Sequence, residues 1–487
     1  MKVFKRYISS SFDSVALLRT NALVNGEWLR GGSRFPVTNP STTEVFSKVT
    51  DCGVPEYRKA IEAAHLAFKT FRHTSSTERS QLLYNVHELI QEYRADLARL
   101  ITVESGKPIW SSLREVETIE TCFRVFAEEA SRLNTHSPIP STANLSQRWI
   151  IYEKQPLGVL GIVTDWALST RALRNLAAVI ATGNTCIFQP PKETPMTALA
   201  LGYVCTQAGV QEGVLNILPT SQPENVARYL CESRFVKKTI LETRTTLRHA
   251  VLQRCSTKIC SEKIVSRPYG KGSFIVCKDA DIEKALRALV ACRFGQFLEK
   301  GSFIGRVFVH ESLYDEFNSR LISMIDSEVC LGDGFDPNAT YGPLINGDEL
   351  NMVANLIQDA RKKGAIVLRG GVRASSMGPN FYRPTVLSNV DDTMNIVHTE
   401  NCAPIVPVSK FRSLDETLDY MESAGSDSVC YLYATDIRSI LSMTRKLNAT
   451  TLGINSTAIE EQDLRFPEAC YPDFGNYTAL KNIVLEP

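Results

Sequence analysis

Thirteen cysteines are the side chains here with the most latent chemistry, and their spacing limits what that chemistry is. They are odd in number and scattered, with no Cys-x-x-Cys pair and no Cys/His cluster. Disulfide frameworks and zinc sites need paired or clustered ligands, so neither is expected and no metal site is assigned. Most of the thiols should serve as small buried apolar groups in a reducing compartment. Other short motifs that carry a mechanism are absent. There is no Gly-x-Gly-x-x-Gly or Gly-x-x-x-x-Gly-Lys-[Ser/Thr] loop to cradle phosphates. There is no His-Glu-x-x-His metal centre and no Gly-x-Ser-x-Gly nucleophile turn.

The elements that must position any site alternate between short apolar runs and amphipathic helices. Tyr57, Ile61, Ala64, Phe68 and Phe71 recur at spacings of four and three, the apolar stripe of a helix, with Pro55 suited to its first turn. A second helix is expected from Thr77 to about Val103. The runs Gly158–Thr164, Thr185–Phe188, Gly213–Leu218 and Thr239–Leu241 read as strands, with helical patterns such as Arg171–Ala181 and Pro195–Gln207 between them. A second alternating section holds Ser273–Cys277, Asp281–Ala291, Gly305–Val309, Leu313–Glu328 and Leu350–Lys363. Continuously apolar strands alternating with helices indicate parallel sheets covered on both faces. The fold class is α/β, with two open α/β domains, and a crevice between such domains is where a dinucleotide and its substrate usually bind.

The length of 487 residues suggests about three domains at roughly 150 residues each. Lys plus Arg number 54 against 53 Asp plus Glu, so no field concentrates polyanions and no nucleic-acid partner is expected. With 44% hydrophobic and 22% charged residues, disorder and fibres are excluded. No window approaches the ~20 apolar residues of a membrane span, so no membrane partner is expected. Residues 1–21 differ from the rest. Lys2, Lys5, Arg6 and Arg19 stand against one acid, Asp13, and the spacing of Val3, Phe4, Tyr7 and Ile8, before a serine run, would put them on one side of a helix were one to form. That is the composition of a mitochondrial transit peptide, so the matrix is the expected destination, with the cytoplasm as alternative.

Seven short segments follow one another from about residue 22 to the C-terminus: Val24-Asn25-Gly26-Glu27-Trp28, Asn39-Pro40, Glu104-Ser105-Gly106-Lys107-Pro108, Gln155-Pro156-Leu157-Gly158-Val159, Gly342-Pro343-Leu344-Ile345-Asn346, Arg383-Pro384-Thr385-Val386-Leu387 and Leu452-Gly453-Ile454-Asn455. In order and spacing the set resembles the aldehyde dehydrogenase superfamily, most closely its succinate-semialdehyde branch. The resemblance implies a cofactor-type domain (22–140 and 158–268), a catalytic-type domain (269–475) and a small bridging or oligomerisation sheet (141–157 and 476–487).

That family oxidises aldehydes by a covalent route. A cysteine thiolate attacks the carbonyl, an asparagine amide and a backbone N–H hold the oxyanion, hydride passes to NAD or NADP, and a glutamate activates water to release the acid. The resemblance places Gly301, followed by Ser302, at the nucleophile. The other register of the loop Phe294-Gly295-Gln296-Phe297-Leu298 puts Leu298 there, and Cys292 lies nine residues before Gly301. Arg267 stands at the glutamate position, with Glu262 five residues earlier, and Ala167 replaces the asparagine. No catalytic residue of the family is intact.

The cofactor positions are substituted as well. In Gln189-Pro190-Pro191-Lys192, Gln189 and Lys192 replace the lysine and glutamate that clamp the adenine ribose. Thr243-Arg244-Thr245-Thr246-Leu247-Arg248 replaces the turn that faces the pyrophosphate, and both of its glycines are gone. Arg244 and Arg248 would attract phosphate by charge and Lys192 would meet the 2′-phosphate of NADP, unless all three are ordinary solvated charges. Glu400 matches the glutamate that holds the nicotinamide ribose. Arg174 matches one of two arginines that pair the substrate carboxylate; the other falls at Gly295, with Arg293 two residues away.

Near the C-terminus Arg465-Phe466-Pro467-Glu468-Ala469-Cys470 replaces the segment that closes the family's substrate tunnel, while Ala479–Leu485 reads as a strand. With Arg148–Tyr152, a β-prone run, it fits the bridging sheet. A homo-oligomer is implied, or a hetero-oligomer with an active relative or a larger mitochondrial assembly. Three functions follow as expectations: a catalytically silent structural or regulatory subunit, an NAD(P)-dependent oxidoreductase acting on succinate semialdehyde or a similar aldehyde through Ser302, or a non-catalytic sensor of dinucleotide or acid that keeps Glu400 and Arg174.

Overall fold

The computed structural model describes residues 13–133, 139–140, 149–165, 170–243, 245–254, 263–266, 272–295, 304–400, 403–423, 429–449, 451–457 and 474–485. A hairpin, β1 (Ala22–Val24) and β2 (Glu27–Leu29), and a ribbon, β3 (Arg34–Thr38) and β4 (Val45–Thr50), precede four helices. These are α1 (Val54–Phe71), α2 (Ser76–Glu92), α3 (Arg94–Ser105) and α4 (Ile109–Ala130). After β5 (Ile139–Pro140) and β6 (Trp149–Pro156), the chain alternates through β7 (Val159–Thr164), α5 (Thr170–Ala181), β8 (Thr185–Gln189), α6 (Pro195–Gln207), β9 (Leu215–Ile217), α7 (Pro223–Glu232), β10 (Val236–Glu242), α8 (Thr245–Arg254) and β11 (Ile264–Ser266). The second section runs through β12 (Gly272–Val276), α9 (Ile282–Phe294), β13 (Ile304–His310), α10 (Tyr314–Glu328), α11 (Gly347–Lys362), β14 (Ile366–Arg369), β15 (Thr385–Ser388) and α12 (Asn395–His398). It continues with β16 (Ile405–Phe411), α13 (Leu414–Ser423), β17 (Val429–Tyr433), α14 (Ile437–Lys446) and β18 (Thr451–Ile454), and the chain closes on β19 (Thr478–Leu485).

Two sheets of seven strands carry the fold, ordered β11-β10-β7-β8-β9-β1-β2 and β14-β15-β16-β13-β12-β17-β18. This is the expected α/β class. Pairing is parallel within each sheet except at β9–β1–β2 and β14–β15, where antiparallel strands extend an edge. The strand Val159-Leu160-Gly161-Ile162-Val163-Thr164 is buried at every position, as are β8 and β12, which is why these runs are apolar without alternation. A small antiparallel sheet, β19-β6-β5, pairs Thr478 through Leu485 with Pro156 through Trp149.

The helices follow the pattern with one correction. In α1, Tyr57, Ile61, Ala64 and Phe71 are buried and Phe68 is half-buried. The helix expected from Thr77 to Val103 is two helices, broken at Tyr93, which leaves helical geometry at ψ 12°. A tertiary contact rewards the break. Asp96, in the first turn of α3, accepts the amides of Asp13 and Ser14 at 3.1 and 2.7 Å. The start of α2 is local in origin: Ser75 accepts the Glu78 amide at 3.1 Å while the Glu78 carboxylate takes the Ser75 amide at 2.7 Å, a capping box.

The two sheet units meet through the turn between α3 and α4. The Ile109 amide donates to Gly334 O at 2.8 Å and the Trp110 indole to Ala339 O at 3.1 Å. Gly106 adopts φ +75°, and a Cβ there would come within 2.6 Å of Pro343, so both backbone and packing call for glycine. No described helix is long and apolar enough to cross a membrane.

Candidate active site

Strand order reverses beside β7: β8 and β9 lie on one side, β10 and β11 on the other. The crevice outside the carboxyl ends of β7 and β10 is therefore a switch point, the place where open α/β sheets take ligands. The register sets Thr164 opposite Glu242 and Val163 opposite Gln189. A cleft of about 500 Å³ opens there, walled by Thr164 and Asp165 at the end of β7, Lys192 and Glu193 after β8, and Glu224 and Asn225 in the first turn of α7.

Gln189 is fully buried. Its side-chain amide donates to the Pro190 carbonyl, while its Oε1 has no hydrogen-bond partner. Its backbone carbonyl accepts the Thr164 hydroxyl at 2.9 Å. Thr243 is also fully buried, and its hydroxyl likewise lacks a partner. Orphaned buried polar atoms are rare and costly, and these two lie beneath the surface at the carboxyl ends of β8 and β10, outside the lining of the cleft. Lys192 is exposed at the rim. The loop after β9 is fixed by Asp51, whose carboxylate accepts the Ser221 amide at 2.8 Å and its hydroxyl at 2.7 Å. Glu193 accepts from the Asn346 amide at 3.2 Å, and Asn346 Oδ1 caps α11 through the Glu349 amide at 2.9 Å. The rim of the first sheet is thus tied to the second unit.

Behind the cleft runs a buried polar chain. Asn175 on α5 donates to Glu242 Oε1 at 3.3 Å and accepts the Tyr477 hydroxyl. The Tyr477 carbonyl accepts from Asn184 at 2.7 Å. Tyr477 immediately precedes β19, so the chain joins the small sheet to the carboxyl end of β10. Nearby, the fully buried Glu104 carboxylate accepts the Met196 amide at 2.6 Å, the Thr197 amide at 2.9 Å and the Thr197 hydroxyl at 2.6 Å, at the start of α6. Burial pushes its pKa up to about 7, against the lowering effect of those bonds.

The described thiols are poorly placed for nucleophilic work. Of nine described cysteines, Cys52, Cys186, Cys205, Cys231, Cys277 and Cys430 are buried. Burial raises Cys205 and Cys277 to about 12 and Cys52 and Cys186 further, leaving no thiolate near neutrality. Cys292 sits in the last turn of α9, packed against the second core. No group of three or more His, Cys, Asp or Glu able to hold a metal occurs among the described residues.

Of the three predicted cofactor positions, Lys192 lines the cleft, while Gln189 and Thr243 are buried at the carboxyl ends of β8 and β10. Arg174 is half-buried on α5, next to Asn175, and Glu400 is half-buried in the second unit between α12 and β16. Ala167, Arg267, Gly301, Ser302 and Arg244 lie outside the described residues. Glu242, Asn175, Glu193 and Asn346 escape sequence reasoning. Of these, Glu242 carries a local signal as a carboxylate ending an apolar strand, and Asn346 one as a helix cap three residues before Glu349.

A model of the aldehyde dehydrogenase family matches residues 28–468. The chain belongs to that family. The mitochondrial succinate-semialdehyde dehydrogenase of Hylobates lar is 32% identical over 456 residues, covering 93% of this chain and 84% of the relative. The NADP(+) succinate-semialdehyde dehydrogenase of Saccharomyces cerevisiae is 30% identical over 492 residues, covering 99% and 98%. A crystal structure of succinate-semialdehyde dehydrogenase from Burkholderia pseudomallei matches with a TM-score of 0.91 at 27% identity, covering 98% of this chain and 100% of that one.

Family members use NAD(P), and the cleft of about 500 Å³ at the carboxyl ends of β7 and β10 is where such a molecule would lie in this fold. The pyrophosphate end has lost its usual seat: residues 243–254 contain no glycine to open backbone amides to phosphate. No chemical step is therefore derived through the cofactor.

Proposed function

We propose that this aldehyde-dehydrogenase-fold chain, related to succinate-semialdehyde dehydrogenase, is catalytically silent and acts as a structural or regulatory subunit. One observation carries the reading: neither register of the nucleophile loop that the resemblance allows, Gly301 or Leu298, supplies a thiol, and the nearest upstream one, Cys292, sits in the last turn of α9. Arg267 and Ala167 at the base and oxyanion positions support it. Removing one oxyanion donor alone costs about 10²–10³ in rate, and here nucleophile and base are lost too.

The proposal includes assembly, as a homo-oligomer or with an active relative or larger complex. It is supported by Leu480 and Val484, each 58% exposed on β19, which is an edge strand of its sheet. A mitochondrial location is supported by the basic, serine-containing segment 1–21 and by the mitochondrial name of the Hylobates relative.

The test is turnover. Purified protein given succinate semialdehyde with NAD⁺ or NADP⁺ should form no reduced cofactor above background, and Gly301→Cys alone should not restore the reaction. Family-like turnover by the unaltered protein ends the proposal. The names of the relatives favour a second reading, an NAD(P)-dependent oxidoreductase working through Ser302. That reading requires Ser302→Ala to abolish whatever rate is found.

A further inference from the structure

We infer that residues 13–21 are a clasp kept in the mature protein, and that any proteolytic removal of the N-terminus ends before Asp13. The inference narrows the targeting segment 1–21 named under the proposed function and does not depend on the chain being catalytically silent.

Composition divides that segment in two. Residues 1–12 hold Lys2, Lys5 and Arg6, three serines and no acid. Residues 13–21 hold one acid, Asp13, and one base, Arg19. The basic, serine-bearing character of a leader therefore lies in the first twelve residues.

The contacts of residues 13–21 give an independent ground, because the first unit is built around them. Leu17, in the 3₁₀ turn Val15–Leu17, is fully buried in the core that also holds the apolar faces of α2, α3 and α6. The Asp13 and Ser14 amides donate to the two oxygens of the Asp96 carboxylate, itself 4% exposed. The Arg19 guanidinium lies over two aromatic rings, 4.9 Å from the centre of Trp28 and 4.4 Å from that of Tyr203. The Thr20 carbonyl accepts the Thr50 amide at 2.9 Å, and Arg34 donates to Asn21 Oδ1 at 2.6 Å. Arg19, a basic residue of the segment by sequence, is thus spent on the fold.

The two possible ends of a leader differ sharply in what they remove. A cut after Asn21 leaves a cavity where Leu17 sits, strips two donors from a buried carboxylate and takes the cation from Trp28 and Tyr203. A cut before Asp13 removes none of these contacts. It turns the Asp13 amide into an ammonium that can still donate to Asp96.

Intact mass of protein recovered from cells that express the full-length chain reads the mature start directly. It should lie at Asp13 or earlier, and a start at Ser14 or later overturns the inference. A start at Met1 still supports the clasp and counts only against the leader. Thermal denaturation tests the cause. A chain beginning at Asp13 should melt with the full-length protein, whereas one beginning at Ala22 should melt lower or fail to fold. In the full-length chain, Leu17→Ala should lower the melting temperature by about 3 °C or more. Arg19→Gln should lower it by less. Unchanged melting in Leu17→Ala or in the chain beginning at Ala22 overturns the inference, as does a drop in the chain beginning at Asp13. None of these readouts involves turnover, so aldehyde oxidation by the protein would end the silent reading and leave this one standing.

Discussion

Glu104 in the first unit and Asp436 in the second each accept amide hydrogens from the opening turn of a helix, α6 and α14, yet their acidities move in opposite directions. Glu104 is fully buried, and desolvation pushes it up to about 7 despite three hydrogen bonds. Asp436 is exposed, and the bonds from the Ser439 hydroxyl and the Ser439 and Arg438 amides hold it below the usual aspartate value. One contact makes a group that titrates near neutrality when dry and an ordinary cap when wet. The contrast extends to the surroundings. The first unit gathers buried polar groups about its crevice, among them Gln189, Asn175, Glu242 and Thr243. The second closes the matching edge with a surface turn, where the Thr435 amide meets Asp279 at 2.7 Å, and with Phe274 stacked on Tyr433 at 4.9 Å. Buried polar groups are high-stakes, and those of the first unit include the chain that runs from β10 to the small sheet.

The contrast is broken most severely at Lys107. Its ammonium meets Glu115 at 2.6 Å, with the two side chains 4% and 5% exposed. Lys107→Met leaves a buried carboxylate without its cation and should cost about 3–5 kcal/mol in urea denaturation. Arg412→Met, which removes the exposed partner of Glu311 in the second unit, should cost no more than about 1 kcal/mol. Equal losses would erase the distinction between the two units.

Acidity sharpens the contrast next. The folded value of Glu104 lies above the ~4.3 of an unfolded glutamate. Between those values the folded chain holds more protons, so this group's contribution is full below about pH 4 and lost as pH rises to about 7. The melting temperature should therefore fall from pH 5 to pH 8, and Glu104→Gln should flatten the slope. Identical slopes in the two proteins would contradict the buried titration.

Asn175→Leu cuts the chain behind the cleft, leaving the Tyr477 hydroxyl and a Glu242 oxygen each short of a bond. The expected loss is about 1–3 kcal/mol in thermal denaturation. A neutral result would mean that water replaces the amide and that the chain does not join the small sheet to the crevice.

How much of this is legible in the sequence depends on range. β7, β8 and α6 can be read from a window of residues, because apolar runs and a proline start are local facts. The break at Tyr93 cannot, because its reason is Asp96 reaching the amides of Asp13 and Ser14 more than eighty residues away. The crevice shows the same division. Gln189, Lys192 and Thr243 are found only through resemblance, since no phosphate-loop motif marks them. The contacts Asn175–Glu242, Asn175–Tyr477 and Asn346–Glu193 span 67, 302 and 153 residues and leave no local pattern at all.

The smallest effect tests the exposed side of the comparison. Asparagine caps a helix about as well as aspartate, so Asp436→Asn keeps the bonds to α14 and removes only the titration. A depressed folded value means that the carboxylate contributes above the unfolded value of about 3.9 and loses that contribution as pH falls. At pH 7 the variant should melt with the unaltered protein, and below pH 4 it should lose less on further acidification. A drop at pH 7 would instead assign the cap to charge rather than hydrogen bonding. Asp436 would then differ from Glu104 in degree of exposure and no longer in kind.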